Sequence, residues 1–284
     1  MKKKGFYSLD FVIIATGLLL SVLVVNFVYE LYIRPLAQDI EITSRLQSTQ
    51  NPDKSFATNR SLAIIVKDYE QQVCISLMMW ASVIIGYKFI KIRRESSMLS
   101  KPFLRMSRGE RILPEDALSH YKEVEGKVSG VSGLADRILP DIIMSALHRF
   151  DSTRSIQDAA HAVKERAELA YEKLESDLSL VRYIAWAIPS VGFIGTVRGI
   201  GEALAQADQA IRGDIEGVTS SLGLAFNSTL IALFLSIILM FFVHLLQSKQ
   251  ETLLIELEDF VSRNIVGLMK TPNKEEETSS VSFS

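Results

Sequence analysis

Cysteine is all but missing from this sequence: Cys74 stands alone. A lone thiol builds neither an intramolecular disulfide framework nor a thiolate metal cage. Histidine is scarce as well, and His120, His148, His161 and His244 lack the spacing of a metal-ligand set. An excess of one charge is also lacking. Thirty-one Lys and Arg against 33 Asp and Glu leave a formal net charge of -2, with no basic stripe interleaved with aromatics. That removes the case for a nucleic-acid partner. No nucleophile–base set and no phosphate loop are present, so the chain is read as not an enzyme, with no cofactor and no resident metal.

Apolar residues are what the chain has in quantity: 48% of it is hydrophobic and 23% is charged, and the two are segregated. Apolar blocks stand at 11–29, 71–87, 183–204 and 218–243. The first and last are free of charge and long enough for the roughly 20 residues that a helix needs to cross the hydrocarbon. The second closes on Lys88, whose stem can snorkel. The third is unusual, because Arg198 and Glu202 fall in it. The expected fold class is all-α, a polytopic membrane protein with four transmembrane helices and long helices extending into a helical cytoplasmic region.

The expected division is 1–33 for the N-terminal tail and first span, 34–70 for a periplasmic segment, 71–92 for the second span and 93–182 for the cytoplasmic helical region. The third span follows at 183–205, a periplasmic loop at 206–217, the fourth span at 218–244, a cytoplasmic helix at 245–270 and a disordered tail at 271–284. Lys2, Lys3 and Lys4 resemble the start of a signal peptide, but the apolar run is too long and no small-residue cleavage site follows it. A retained span is expected. Lys88, Lys91, Arg93, Arg94, Lys101, Arg105 and Arg108 crowd behind the second block, so both termini and the 93–182 region are assigned to the cytoplasm.

In that region "RILPED" at Arg111 and "RILPDI" at Arg137 place proline before acid, which suits a helix start. Ser129–Gly133 reads as a turn, and Ser155 with Asp158 as a capping box. After it, Ala160, Val163, Ala167, Ala170, Leu174, Leu178 and Val181 recur at steps of three and four. The simplest expectation is one helix from about 156 to about 205, roughly 75 Å long at the helical rise. The fourth span likewise continues through Leu254, Leu257, Val261 and Ile265.

The third block holds "VGFIGTVRGI", Val191 to Ile200, with three glycines where lipid-facing helices carry leucine. Gly192, Thr196, Gly199 and Ala203 share one helical face, and Ala225, Thr229, Ala232 and Ser236 share one on the fourth block. With the two blocks as an antiparallel hairpin, Thr196 and Thr229 fall at similar depth. Two readings of these faces stay open: close helix packing through small residues, or a polar wall beside a partner helix. Arg198 and Glu202 form an i,i+4 pair, either a snorkelling arginine or a collar of charge at a pore mouth.

The segment Ala187–Leu204, "AIPSVGFIGTVRGIGEAL", resembles the signature of the MotA/TolQ/ExbB proton-channel family. A second family element reads here Thr229-Leu-Ile-Ala-Leu233, with Ala232 where the family has glycine, no following proline but Ser236 nearby, and Arg198 at a position more often uncharged. The resemblance implies a homopentamer in the bacterial inner membrane around two copies of a single-span MotB/TolR/ExbD-like partner with a membrane Asp. It implies a proton-driven motor or stator, with Thr196 and Thr229 on the ion path and Gly192, Gly199, Ala225, Ala232 and Ser236 lining it; the collar reading of Arg198 and Glu202 would set them at its mouth. Sodium stays open as the translocated ion, given Ser190, Asn227 and Ser228. No Asp, Glu, Lys or His lies within 183–197 or 218–243, so the acid that carries a proton must come from elsewhere. The competing expectation is a non-conducting membrane scaffold or receptor with a cytoplasmic docking platform.

Overall fold

The structure is a computed structural model that describes residues 6–50, 62–99, 111–130 and 137–271. Among them there is no strand, only one isolated bridge, Ile112 to Met269. Helix α1 (Phe6–Val28) passes through a π-helical turn (Tyr29–Ile33) into α2 (Arg34–Gln50). Then come α3 (Leu62–Val66), α4 (Tyr69–Ser96), α5 (Pro114–Gly130), α6 (Ile138–Thr153) and α7 (Ile156–Ser176). The chain continues as α8 (Ser179–Ala205), the short α9 (Ala207–Ile211), α10 (Glu216–Asn264) and a 3₁₀ turn (Val266–Leu268). Four stretches are long and apolar enough to cross a membrane: Phe11–Thr43, Tyr69–Ser96, Ile156–Ala205 and Glu216–Leu268. The protein is an all-α polytopic membrane protein.

The chain divides into two compact units, one of Met1–Tyr87 with Ser179–His244, the other of Lys88–Leu178 with Leu245–Ser284. In the first, α1 and α4 run antiparallel, and the Trp80 indole N–H donates to the Ile14 carbonyl at 2.9 Å. The Cys74 thiol, buried, donates to the Ile188 carbonyl at 3.6 Å and so joins α4 to α8. Much of this unit's surface is apolar: Phe193, Ile194 and Val197 on α8 and Phe226, Leu230, Phe234 and Ile237 on α10 are exposed. Such a surface suits hydrocarbon, not water.

In the second unit, α6 is the central element. Leu139, Ile142, Ile143, Ala146, Leu147 and Phe150 are buried along it, facing Val124 and Val128 of α5 and Ala159, Ala162 and Val163 of α7. The three- and four-residue spacing of these side chains is what selects helix over strand. The buried Glu95 caps α6, accepting from the Ile138 backbone N–H and the Arg137 guanidinium at 3.3 Å each. Pro114 opens α5 with Glu115 and Asp116 behind it, whereas Pro140 is the third residue of α6. Arg154 closes α6 in the left-handed region at φ 50°, and the Ser155 hydroxyl accepts from Asp158 N–H to start α7.

The single helix expected from 156 to 205 is not continuous. A turn at Asp177–Leu178 separates α7 from α8, with the Asp177 carboxylate taken by Lys88 at 2.9 Å. The apolar periodicity runs through this break, which is why it is invisible in the pattern. The Ser129–Gly133 turn and the tail past Thr271 lie outside the described residues in whole or part.

Phe150 is fully enclosed. Truncating it, Phe150→Ala, is expected to destabilise the α5–α7 packing by about 3–5 kcal/mol. Hydrogen–deuterium exchange should then show faster amide exchange in α6 and α7, with α8 and the first half of α10 unchanged.

Candidate functional site

The third and fourth apolar blocks form an antiparallel hairpin whose seam is made of small residues. Gly192, Gly195, Gly199 and Ala203 of α8 are buried, as are Ala225, Ser228 and Ala232 of α10. A Cβ on Gly192 would overlap the Ala232 methyl, and one on Gly199 would lie 2.7 Å from the Ser221 carbonyl oxygen and 2.8 Å from the Ala225 Cβ. The missing side chains are therefore what lets the two backbones meet. Ala232, where the related pattern has glycine, sits opposite Gly192, so the extra methyl on one helix is matched by its absence on the other.

This close approach brings Thr196 and Thr229 together. Their hydroxyls hydrogen-bond each other. Thr196 Oγ1 also reaches the Ala225 carbonyl at 3.0 Å and its own-helix Gly192 carbonyl at 3.4 Å, and Thr229 Oγ1 reaches the Gly192 carbonyl at 3.2 Å. Four contacts thus compete for two hydroxyl protons. A hydroxyl has one proton and two lone pairs and can rotate. The pair can therefore offer a lone pair outward with its bonds intact, or a proton by giving up one of them. Both threonines are half-buried.

Ser236 has a different task. Pro189 lacks an N–H, so the carbonyl four residues earlier, Ala185, has no intrahelical donor. The Ser236 hydroxyl donates to that carbonyl at 2.9 Å. Ser190 and Ser228 donate to carbonyls within their own helices, Trp186 at 3.1 Å and Leu224 at 3.0 Å. Asn227 is half-buried.

Arg198 is not a solitary cation. Besides Glu202 at 3.4 Å, it grips Glu70 of α4 through Nε at 2.8 Å and Nη2 at 2.9 Å. Glu70 fits because Gly195 is bare; a Cβ there would lie 3.1 Å from the Glu70 Cγ. The next residue, Gln71, is fully buried and its amide donates to Ser228 Oγ at 3.3 Å and to the Ile65 carbonyl at 3.2 Å. Residues 70 and 71 thus tie α4 to both arms of the hairpin. Sequence reasoning overlooked them: a Glu-Gln-Gln run at the edge of an apolar block reads as an interfacial flank. The signal was there in its position, since Gln71 lies inside the block and the first helical turn.

These observations define a class: a polytopic helical membrane protein whose last two spans close on a glycine seam holding a paired hydroxyl. Residues 134–259 match the family described as the MotA/TolQ/ExbB proton channel family. It is a family of channels, not of enzymes. No curated protein and no solved structure matches the chain.

Lengthening a seam residue should undo the hairpin. Gly199→Leu is expected to overpack it at about 1–3 kcal/mol or more, lowering the yield of folded protein in size-exclusion chromatography in detergent. Gly201→Leu, where a Cβ meets nothing within 4 Å, is expected to leave that yield unchanged.

Proposed function

We propose that this chain is the pore-forming subunit of an inner-membrane, proton-driven motor or stator. Five copies would surround two copies of a single-span partner that supplies a membrane Asp, with both termini of this chain in the cytoplasm. The observation that supports this most is the Thr196–Thr229 pair, set in spans with no carrier acid at their centre. An intramembrane carboxylate is costly when charged. The paired hydroxyls would donate hydrogen bonds to it when ionised and accept a hydrogen bond from it when neutral, so that one wall serves both states. Gly192, Gly199, Ala225, Ala232 and Ser236 then act behind that wall, by keeping the helices close and the carbonyls satisfied. Arg198 and Glu202 stand at the outer mouth.

The competing reading is a non-conducting scaffold, and the burial of the seven small residues in the seam is its best support. The two separate on function. Thr196→Val and Thr229→Val keep the side-chain shape and are expected to assemble as wild type does. Each is expected to cut proton flux roughly tenfold, the effect of about 1.4 kcal/mol at the limiting barrier. The double variant should lose little more than either single one, because the hydroxyls act as a unit. Flux is read with a pH-sensitive dye in liposomes holding the complex purified with its partner. Unaltered flux in both variants favours the scaffold.

A further inference from the structure

The basic residues behind the second apolar block do not form one cluster, because the last turns of α4 divide them between two sides. Lys88 turns inward and takes the Asp177 carboxylate at 2.9 Å. Glu95, the acid of this helix end, is 3% exposed and committed to Arg137 and the Ile138 N–H. It is therefore not available to the arginines that precede it. Arg93 and Arg94 are both exposed. Among the described residues, no carboxylate and no hydrogen-bond acceptor takes either guanidinium.

What stands beside these two cations is apolar. Phe89 and Ile90, four residues earlier, are 38% and 52% exposed. Positions i and i+4 are neighbours along one face of a helix. Phe89 thus precedes Arg93, and Ile90 precedes Arg94, by about 6 Å of helical rise. The order is an apolar pair and then a cationic pair, at the end of a helix long and apolar enough to cross a membrane. Water suits the guanidiniums and not the apolar pair; hydrocarbon suits the apolar pair and not the guanidiniums. A molecule that is apolar along its length and anionic at its head satisfies both. Guanidinium holds phosphate through two parallel N–H bonds, and basic residues next to a span attract anionic lipid. A small soluble anion would leave Phe89 and Ile90 uncovered.

We propose that Phe89, Ile90, Arg93 and Arg94 form a binding site for an anionic glycerophospholipid, in the leaflet that meets this end of α4. The lipid phosphate lies against the two guanidiniums, and one acyl chain runs back along Ile90 and Phe89. A zwitterionic lipid offers the same phosphate with its charge cancelled by the headgroup ammonium, so the site selects by net charge. Each guanidinium is expected to strengthen binding about fivefold, the equivalent of about 1 kcal/mol. The site depends on neither the channel nor the scaffold reading; it requires only that α4 spans a bilayer.

The test uses the full chain purified in detergent, with native mass spectrometry to count bound phosphatidylglycerol against phosphatidylcholine of the same acyl chains. Wild type is expected to prefer phosphatidylglycerol. Arg93→Gln and Arg94→Gln should each weaken its binding about fivefold, and the double variant about 25-fold. Replacing both by lysine keeps the charge and should keep most of the preference. Arg149→Gln, which removes a cation of α6 already paired with Glu165, should leave it unchanged. Both side chains are exposed, so the variants are expected to fold, and circular dichroism checks this. Equal binding of the two lipids overturns the proposal, as does an unaltered preference in the double glutamine variant. Displacement of the lipid by inorganic phosphate also overturns it, by making the site one for soluble anions. So does binding by the separated chain that is lost on assembly, which gives the guanidiniums to a neighbouring protein chain.

Discussion

The approach of α8 to α10 is the constraint on which the membrane unit depends. Between helices in lipid there is no hydrophobic drive to associate, because the surroundings are as apolar as the side chains. What remains is dispersion and hydrogen bonding at short range. The bare Cα atoms of Gly192 and Gly199 allow that range, and the hydroxyl contacts across the seam follow from it. Packing and chemistry at Thr196 and Thr229 are therefore not alternatives. The seam that buries the glycines is the one that holds the hydroxyls in register.

Charge is arranged to match. The apolar middle of the hairpin has none, and the charged groups of the first unit gather where α2, α3, α4 and α8 end or begin. There Glu70 takes Arg198, Glu41 takes Lys67 and Glu30 takes Arg34. Exposed ion pairs contribute little to stability, but the Glu70–Arg198 pair is bidentate and Glu70 is largely enclosed. Its effect is geometric: it fixes the start of α4 against α8.

Most of the fold was legible in the chain because hydropathy is a strong signal. Four uncharged or nearly uncharged runs announce spans, and the Ser155–Asp158 cap and the Pro114 start are local features that local rules capture. The small faces of the third and fourth blocks could be drawn from periodicity alone. The break at Asp177–Leu178 could not, because an apolar stripe is blind to a turn that keeps its phase. Nor could the contacts of Glu70 with Arg198 and of Gln71 with Ser228, which join residues more than a hundred positions apart and obey no short-range spacing. Arg198 could be paired with Glu202 from spacing, but not with Glu70, which is on another helix.

Pro189 and Ser236 are one unit divided between two helices. The proline strips Ala185 of its donor, and the serine, forty-seven residues later, replaces it. Neither position is free to drift alone. A serine lost leaves a bare carbonyl in an apolar setting, while a proline replaced brings back an amide that competes for the same lone pairs. Any descendant of this sequence that changes one is under pressure to change the other, although nothing in the spacing of the two residues would advertise the bond.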